Sequence, residues 1–174
     1  MKLNKIASVL VFASSMATYG AHAAADQGAG RVDFKGSIIN AACSINPQST
    51  QQEVDLGQIA AKQLANSGTS TPRNFEILLE NCDITDDSAV SLTFGGDSAN
   101  TTNTLLGITG TASGAGIAMT TGNGERITLG QATQPRDLIE GDNTLVFSAY
   151  LEGLGGAIET GDFFSSTNFT LAYQ

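Results

Sequence analysis

The sequence predicts an all-β protein, arranged as an antiparallel β-sandwich. Short runs in which apolar and polar residues alternate recur along the chain, and this two-residue period is typical of strands with one buried face. Segments rich in Gly, Ser, Thr and Asn separate these runs, and the chain holds 20 Gly but only 3 Pro. No long stretch has the 3.6-residue period of a helix. About seven short strands joined by turns favour a sandwich.

The strands can be followed along the chain by the apolar residues that share one side. These sets are Val32, Phe34, Gly36 and Ile38; Phe75, Ile77 and Leu79; Val90, Leu92 and Phe94; Ile117 and Met119; Ile127 and Leu129; Leu145, Phe147, Ala149 and Leu151; and Phe169, Leu171 and Tyr173. Residues 59–66 could form one short helical turn. Residues 97–125 carry few large side chains, and we expect exposed loops around short strands there.

The first 23 residues have the features of a secretory signal peptide. Lys2 and Lys5 form a basic start, an uncharged apolar stretch follows, and Ala21-His22-Ala23 is a small-residue cleavage site. The apolar stretch is too short to cross a membrane as a helix. The mature chain is expected to begin at Ala24, with Asp26 as the alternative.

Removal of this peptide makes the protein more acidic. The whole chain has 8 basic and 17 acidic residues, and loss of Lys2 and Lys5 leaves 6 − 17 = −11. Such a charge argues against binding to nucleic acid or to anionic lipid, and solubility is its simplest explanation. The remaining 151 residues (174 − 23) suffice for one domain with a core.

The two cysteines, Cys43 and Cys82, are expected to form a disulfide, because an exported protein folds in an oxidising compartment. Two free buried thiols are the alternative. In the chain-entropy model, whose mechanism is disputed, closing a loop of this size stabilises the fold by about 4 kcal/mol.

The residues needed for common catalytic chemistry are missing. The only histidine, His22, lies in the signal peptide, so Ser-His-Asp and Cys-His catalysis and histidine-bound zinc are not expected. Asp83, Asp86 and Asp87 lack the spacing and the distal Glu of an EF-hand loop, and a solvated loop is the simpler interpretation. We therefore expect no catalytic residue, metal or cofactor, and no enzymatic activity.

Four segments resemble subunits of the chaperone–usher pilin family, in particular major subunits of type 1 and mannose-resistant-Proteus-like fimbriae. Residues 32–43 (VDFKGSIINAAC) resemble the passage from an N-terminal extension into the first strand, and residues 75–82 (FEILLENC) the strand of the second cysteine. Residues 144–153 (TLVFSAYLEG) resemble the penultimate strand. The segment 161–174 resembles the family's end, with a glycine fourteenth from the terminus and a penultimate tyrosine.

The resemblance implies an incomplete immunoglobulin-like sandwich that lacks its last strand. Addition of a donor strand is the recognition mode described for chaperone–pilin complexes. The implied partition is a signal peptide (1–23), a donor-strand extension (24–36) and a pilin domain (37–174). Val32, Phe34 and Gly36 would enter a neighbour's groove, whose edge would carry the residues Gly161, Phe169, Leu171, Tyr173 and Gln174. A periplasmic chaperone would pair with that edge first, with basic residues holding the Gln174 carboxylate, before an outer-membrane usher assembles the fibre.

Period alone would favour a simpler interpretation, in which Val32 and Phe34 begin the domain's own first strand and the last strand lies in a complete sheet. The cysteines, Gly161 and Tyr173 support the family resemblance, and this resemblance favours strand exchange instead. The leading function is thus a structural subunit of a surface fimbria that polymerises and supports adhesion. The alternatives are a minor, adaptor or weakly receptor-binding fimbrial subunit, and a soluble secreted β-sandwich.

Overall fold

The structure is a computed structural model, and it describes residues 30–174. The predicted signal peptide and residues 24–29 of the predicted extension lie outside the described residues. The chain divides into two units, Met1–Ile38 and Ile39–Gln174. In the first unit, the described residues have no regular secondary structure and every one of them is exposed, so the predicted alternating run at 32–38 forms no strand here.

The second unit is built almost entirely from strands. Its nine strands are β1 (Ser44–Ile45), β2 (Arg73–Cys82), β3 (Ala89–Gly95), β4 (Thr109–Gly110), β5 (Ala115–Thr121), β6 (Arg136–Asp137), β7 (Gly141–Gly153), β8 (Phe163–Phe164) and β9 (Asn168–Tyr173). Two one-turn helices, α1 (Pro47–Thr50) and α2 (Ala61–Leu64), and a 3₁₀ turn, Ala65–Ser67, lie between β1 and β2. The second helix confirms the predicted helical turn in residues 59–66.

The strands form two main antiparallel sheets, with order β1-β2-β7-β5 in one and β6-β3-β9 in the other, and β4 pairs with β8. The sheets face each other across an apolar core. Phe94 of β3 packs against Phe147 of β7 and Phe75 of β2, with ring centroids 5.2 and 6.4 Å apart. This packing is the expected sandwich.

The predicted inward sides of the long strands are confirmed. Ile77 and Leu79 on β2 are buried, as are Val90, Leu92 and Phe94 on β3. On β7, Leu145, Phe147, Ala149 and Leu151 are all buried, while the residues between them face outward in part. The alternation arises because successive side chains of a strand point to opposite faces.

The run at Ile127 and Leu129 was predicted as a strand, and this prediction is wrong. Both side chains are buried, but the backbone joins no ladder. The Ile127 N–H donates to Met119 O and the Leu129 N–H to Asn103 O, so the two residues attach to different segments. The alternation therefore reflects two buried side chains in a loop whose other residues are mostly exposed, and this loop also bonds to the outer edge of β5.

A disulfide joins Cys43 to Cys82, as predicted, and both cysteines are buried. It ties the beginning of the second unit to the end of β2. Residue Cys82 also pairs with Gly141, where β7 begins. The disulfide thus marks one end of the sandwich, hereafter the disulfide end. The opposite end holds the start of β2 at Arg73 and the end of β7 at Gly153.

Candidate functional site

The last strand, β9, has one paired edge and one open edge. Gln174 exchanges two backbone hydrogen bonds with Ala89, which fixes the alternation of bonded pairs between β9 and β3. The N–H and C=O groups of Ala172 and Thr170 therefore face β3. Those of Phe169, Leu171 and Tyr173 point the other way, where no strand pairs with β9 within residues 30–174.

The side chains of these same three residues pack on the core but remain half-exposed. Their partners on β3, Val90, Leu92 and Phe94, are 0%, 3% and 1% exposed. Two paired strands of one sheet thus differ sharply in burial. Within residues 30–174, β3 has a neighbouring strand along both of its edges, whereas β9 has one along a single edge. Another strand can therefore pair along the open edge of β9 and cover its inward side chains.

A long groove meets this open edge at Phe169, the residue of β9 that lines it, and has a volume of about 1050 Å³. The first wall is the segment 49–59 and the second wall is the segment 158–169. Its floor is apolar and comes from both sheets; it includes the residues Phe75, Ile77, Phe94, Met119, Ala149 and Phe169. A second cavity of about 340 Å³ separates Ile45 and Thr50 from Phe169. The first wall thus lies across a gap from β9.

The outer edge of β2, in contrast, is already covered. The N–H of Leu78 donates to the Ser49 Oγ at 2.9 Å, and its C=O accepts from the Asn46 N–H at 3.0 Å. The side-chain amide of Gln52 donates to Glu76 O at 2.7 Å. Side chains of the first wall therefore form hydrogen bonds to this edge of β2 in place of a neighbouring strand. These bonds fix the wall to β2 rather than to β9.

Replacement of Ser49 by alanine is expected to lower the free energy of unfolding by about 1–3 kcal/mol, because the Leu78 N–H would lose its acceptor in a covered position. Urea denaturation of the purified full chain, followed by circular dichroism, measures this change. Thr50→Ala is the matched control, since Thr50 is exposed and its hydroxyl bonds, among the described residues, only to Pro47 O. Equal midpoints for the two variants would contradict the role given to Ser49.

The sequence singled out Gly161, and the structure places it in the second wall of the groove. A Cβ atom here would lie 2.3 Å from Thr111 Oγ1 and 2.8 Å from the Thr111 carbonyl carbon. Only glycine allows this approach. The neighbouring Asp162 accepts backbone hydrogen bonds from Thr111 and Ala112, so the glycine fixes the wall against the loop 111–112.

Tyr173 carries a buried hydroxyl that has no hydrogen-bond partner among the described residues. Burial raises the pKa of its phenol above the ordinary value, because the charged form would lose solvation. The ring packs on the core from the open edge of the sheet. A strand beside β9 would approach this residue directly.

The predicted donor residues are fully available in the first unit. Val32 and Phe34 are 73% and 92% exposed, and Ile38, on the same side of the run, is also exposed. A Cβ atom on Gly36 would meet nothing within 4 Å. Within the described part of the extension, nothing therefore excludes a side chain at position 36.

Residues 83–87, which could have suggested a metal site, form a hydrogen-bonded turn. The Asp83 Oδ1 accepts from the Thr85 hydroxyl and from the Thr85 N–H, and these bonds lower the pKa of the Asp83 carboxyl. Within residues 30–174 no group of three or more metal-binding side chains occurs. The same part of the chain contains no helix long and apolar enough to cross a membrane.

Sequence reasoning missed the first wall. Residues 49–58, which form most of this wall, have neither strand nor helix period, and no pattern marked Ser49 or Gln52 as substitutes for a strand. The only hint was the side chain of Asn46, which caps α1 by accepting from the Gln48 N–H and also donates to Glu80. Such a cap can be recognised in the sequence, but the strand to which the segment bonds cannot.

Known proteins similar to this chain are bacterial fimbrial subunits. Residues 32–174 match the family model for fimbrial protein. The chain is 50% identical to Fimbria A protein of Serratia marcescens and 43% identical to the Major MR/P fimbria protein of Proteus mirabilis, each over the full length of both chains. Among solved structures, the P pilus rod subunit PapA covers 77% of this chain and 100% of its own, with 31% identity and a TM-score of 0.71.

A chaperone–usher pilus, described in terms of rod uncoiling, matches 85% of this chain and 97% of its own, with 31% identity and a TM-score of 0.78. The open edge of β9 and the groove beside it agree with an immunoglobulin-like fold that lacks its last strand. The chain belongs to the fimbrial protein family, as a structural, non-enzymatic subunit of a surface fimbria.

Proposed function

We propose that this subunit polymerises when residues 24–36 of one copy insert along the open edge of β9 in the next. As a fimbrial subunit it is exported to the cell surface, and its partners are other pilins, a periplasmic chaperone and an outer-membrane usher. The proposed partition is a signal peptide at 1–23, a donor extension at 24–36 and a receiving domain at 37–174. The observation that carries the proposal is the unpaired edge of β9 above an apolar groove.

The groove and the extension are complementary in chemistry. Val32 and Phe34 expose large apolar side chains two positions apart, which places them on the same side once the segment pairs as a strand. Full burial of each contributes roughly 1.5–3 kcal/mol. The unpaired backbone groups of Phe169, Leu171 and Tyr173 can accept a ladder, in which each hydrogen bond contributes about 0.5–1.5 kcal/mol net. Together these terms favour strand insertion over exposure of both surfaces.

Gly36 shares the inward side of the run with Val32 and Phe34. Glycine in a strand marks a close approach of backbones. We infer that Gly36 passes the floor of the groove where a side chain would not fit. Gly161 in the receiving copy has a different task, because it holds the wall against Thr111. The two glycines thus serve donor and acceptor separately.

A strand that leaves its own domain to complete another makes a heterologous contact. Such a contact generates rings if the rotation closes and filaments if it does not. An unpaired edge also aggregates if it is left open, so it needs a temporary cover before assembly. We infer that the chaperone supplies this cover by pairing with Phe169, Leu171 and Tyr173, and that its basic residues hold the carboxylate of Gln174.

The relatives suggest which subunit this is. Two matched proteins are named as Fimbria A protein and as a major fimbria protein, and a matched structure is a rod subunit. Full-length similarity to them supports a repeating structural subunit of the fibre shaft. We infer that adhesion, where the fibre supports it, follows from the assembled fimbria.

The test is a gel of protein sheared from the cell surface, run unheated and after boiling in strong detergent. The full chain is expected to give a ladder of detergent-resistant oligomers that collapses to monomer on boiling. A variant lacking residues 28–36 should give no ladder while it is still exported. A single monomer band from both proteins, heated or not, would instead support a soluble secreted β-sandwich.

A further inference from the structure

The groove is apolar at its floor but acidic along its walls. Glu53 and Asp55 stand on the first wall, and Glu159 and Asp162 on the second. All four are exposed. Among the residues that line the groove in the second unit there is no Lys or Arg. The walls therefore present four negative charges to anything that enters.

These carboxylates have few partners within the domain. Asp55 accepts a hydrogen bond from the Gly57 N–H, and Glu159 accepts one from the Ser113 hydroxyl at 2.8 Å. The side chain of Arg73 comes near Gly57, but it forms no ion pair within 4.0 Å. In the part of the chain that the structure describes, the ion pairs are Arg31–Asp33 and Arg126–Glu152. Within residues 30–174, none of the four groove carboxylates therefore forms an ion pair.

The four acids lie toward the end of the sandwich that is opposite to the disulfide. On the first wall, Gln52 reaches Glu76 and Gly57 lies by Arg73, so the chain between them faces the beginning of β2. On the second wall, Ser113 exchanges backbone hydrogen bonds with Glu159 beyond the end of β7. Both observations place the acids away from the disulfide end.

The extension carries charge of the opposite sign at matching positions. Arg31 and Lys35 alternate with Val32 and Phe34, so they lie on the outward side of the run when the apolar residues face inward. They are two of the six basic residues left after removal of the signal peptide. Arg31 pairs with Asp33 at 2.8 Å, whereas Lys35 forms no ion pair within the described residues.

The direction in which the extension enters the groove decides whether Arg31 or Lys35 lies nearer to the acidic walls. The extension joins its own domain at Ile39, four residues before the disulfide. When copies stack end to end, the disulfide end of one copy meets the opposite end of the next. All copies then point in the same direction, and no two extensions meet at one junction. In that arrangement the strand runs antiparallel to β9. The donor residues nearest their own domain then lie at the acidic end, and Lys35 lies nearer to it than Arg31.

We propose that the acidic walls of the groove recognise the extension of a second copy by its charge, with Lys35 as the residue that they select. This rests on the strand exchange proposed above and adds a specificity determinant to it. Complementary charge speeds encounter and fixes register more than it adds affinity. It also offsets the repulsion between copies of a strongly acidic protein.

The test follows the growth of detergent-resistant oligomers from full-length subunits released from their chaperone. Growth is compared in about 0.02 M and about 0.5 M salt, because the higher salt shortens the screening length below that at physiological ionic strength. Lys35→Glu should be slower than wild type by about tenfold at low salt and equal to it at high salt. Arg31→Glu, the matched control, should lose less.

The double variant Lys35→Glu/Asp162→Lys places one cation in the walls, beside the three remaining acids, and we expect it to regain part of the low-salt rate. Asp162 suits this exchange because its carboxylate accepts no hydrogen bond within residues 30–174. A Lys35→Glu rate equal to wild type at low salt, or a loss that neither salt nor Asp162→Lys changes, would overturn the role of charge. Normal growth of a Phe34→Asp variant would instead overturn strand exchange itself.

Discussion

A Phe34→Asp variant is expected to be exported normally and to be absent from fibres. Phe34 is the largest side chain on the inward side of the extension, and it is 92% exposed before assembly. Its replacement removes roughly 1.5–3 kcal/mol of burial and would force a charge against an apolar floor, where it has no partner. Immunoblots of the periplasm and of sheared fimbriae, compared side by side, measure the two outcomes separately.

The matched control is Asp33→Asn, one position away and on the outward side of the same run. It removes a charge and the ion pair with Arg31, but both groups are exposed, and such pairs contribute little. Fibres from Asp33→Asn cells should be close to wild type in amount. If the Phe34→Asp protein enters fibres as well as the control does, residues 32–36 are not the donor strand.

A Leu171→Asp variant is expected to be degraded in the periplasm. Leu171 lies at the middle of β9, with its side chain on the core and its backbone groups on the open edge. A carboxylate there must lie against Leu92 and the core, so the strand would leave the sheet or the charge would be buried without a partner. The loss should exceed 3 kcal/mol, which is a large share of a typical domain's stability.

Thr170→Asp is the control for this substitution, because Thr170 is exposed on the outer side of the same strand. Pulse–chase labelling of the two proteins gives their lifetimes, and co-purification with the chaperone shows whether β9 can still be paired. Truncation of residues 169–174 should give the same early loss as Leu171→Asp. Wild-type lifetimes for the truncated protein would remove the proposed role of β9 in binding the chaperone.

The strands were predictable wherever burial alternates regularly. On β2, β3 and β7, one side faces the core along the whole strand, so the two-residue period appears directly in the sequence. The run at Ile127 and Leu129 shows the limit of this signal. Two buried side chains, two positions apart, give the same pattern whether the backbone pairs in a ladder or bonds to unrelated segments.

The groove was only partly predictable. Phe169, Leu171 and Tyr173 could be placed on one face of a strand, but their period cannot reveal which edge lacks a partner. That edge depends on where residues 46–59 lie, and these residues are held by individual side chains such as Ser49 and Gln52 rather than by a pattern. The acidic walls combine residues more than 100 positions apart, such as Glu53 and Asp162, and only the fold brings them to one groove.

The way in which the other sheet edges are covered sets the connectivity of the assembly. Ser49 and Gln52 close the edge of β2, and Leu106 and Ile127 bond to the edge of β5. Within residues 39–174 the sandwich then keeps one long unpaired edge, that of β9, and each copy has one extension. In the language of polymer chemistry this is a monomer with two different and mutually reactive ends. Such monomers grow into unbranched chains, and growth stops at a subunit that lacks one of the two functions.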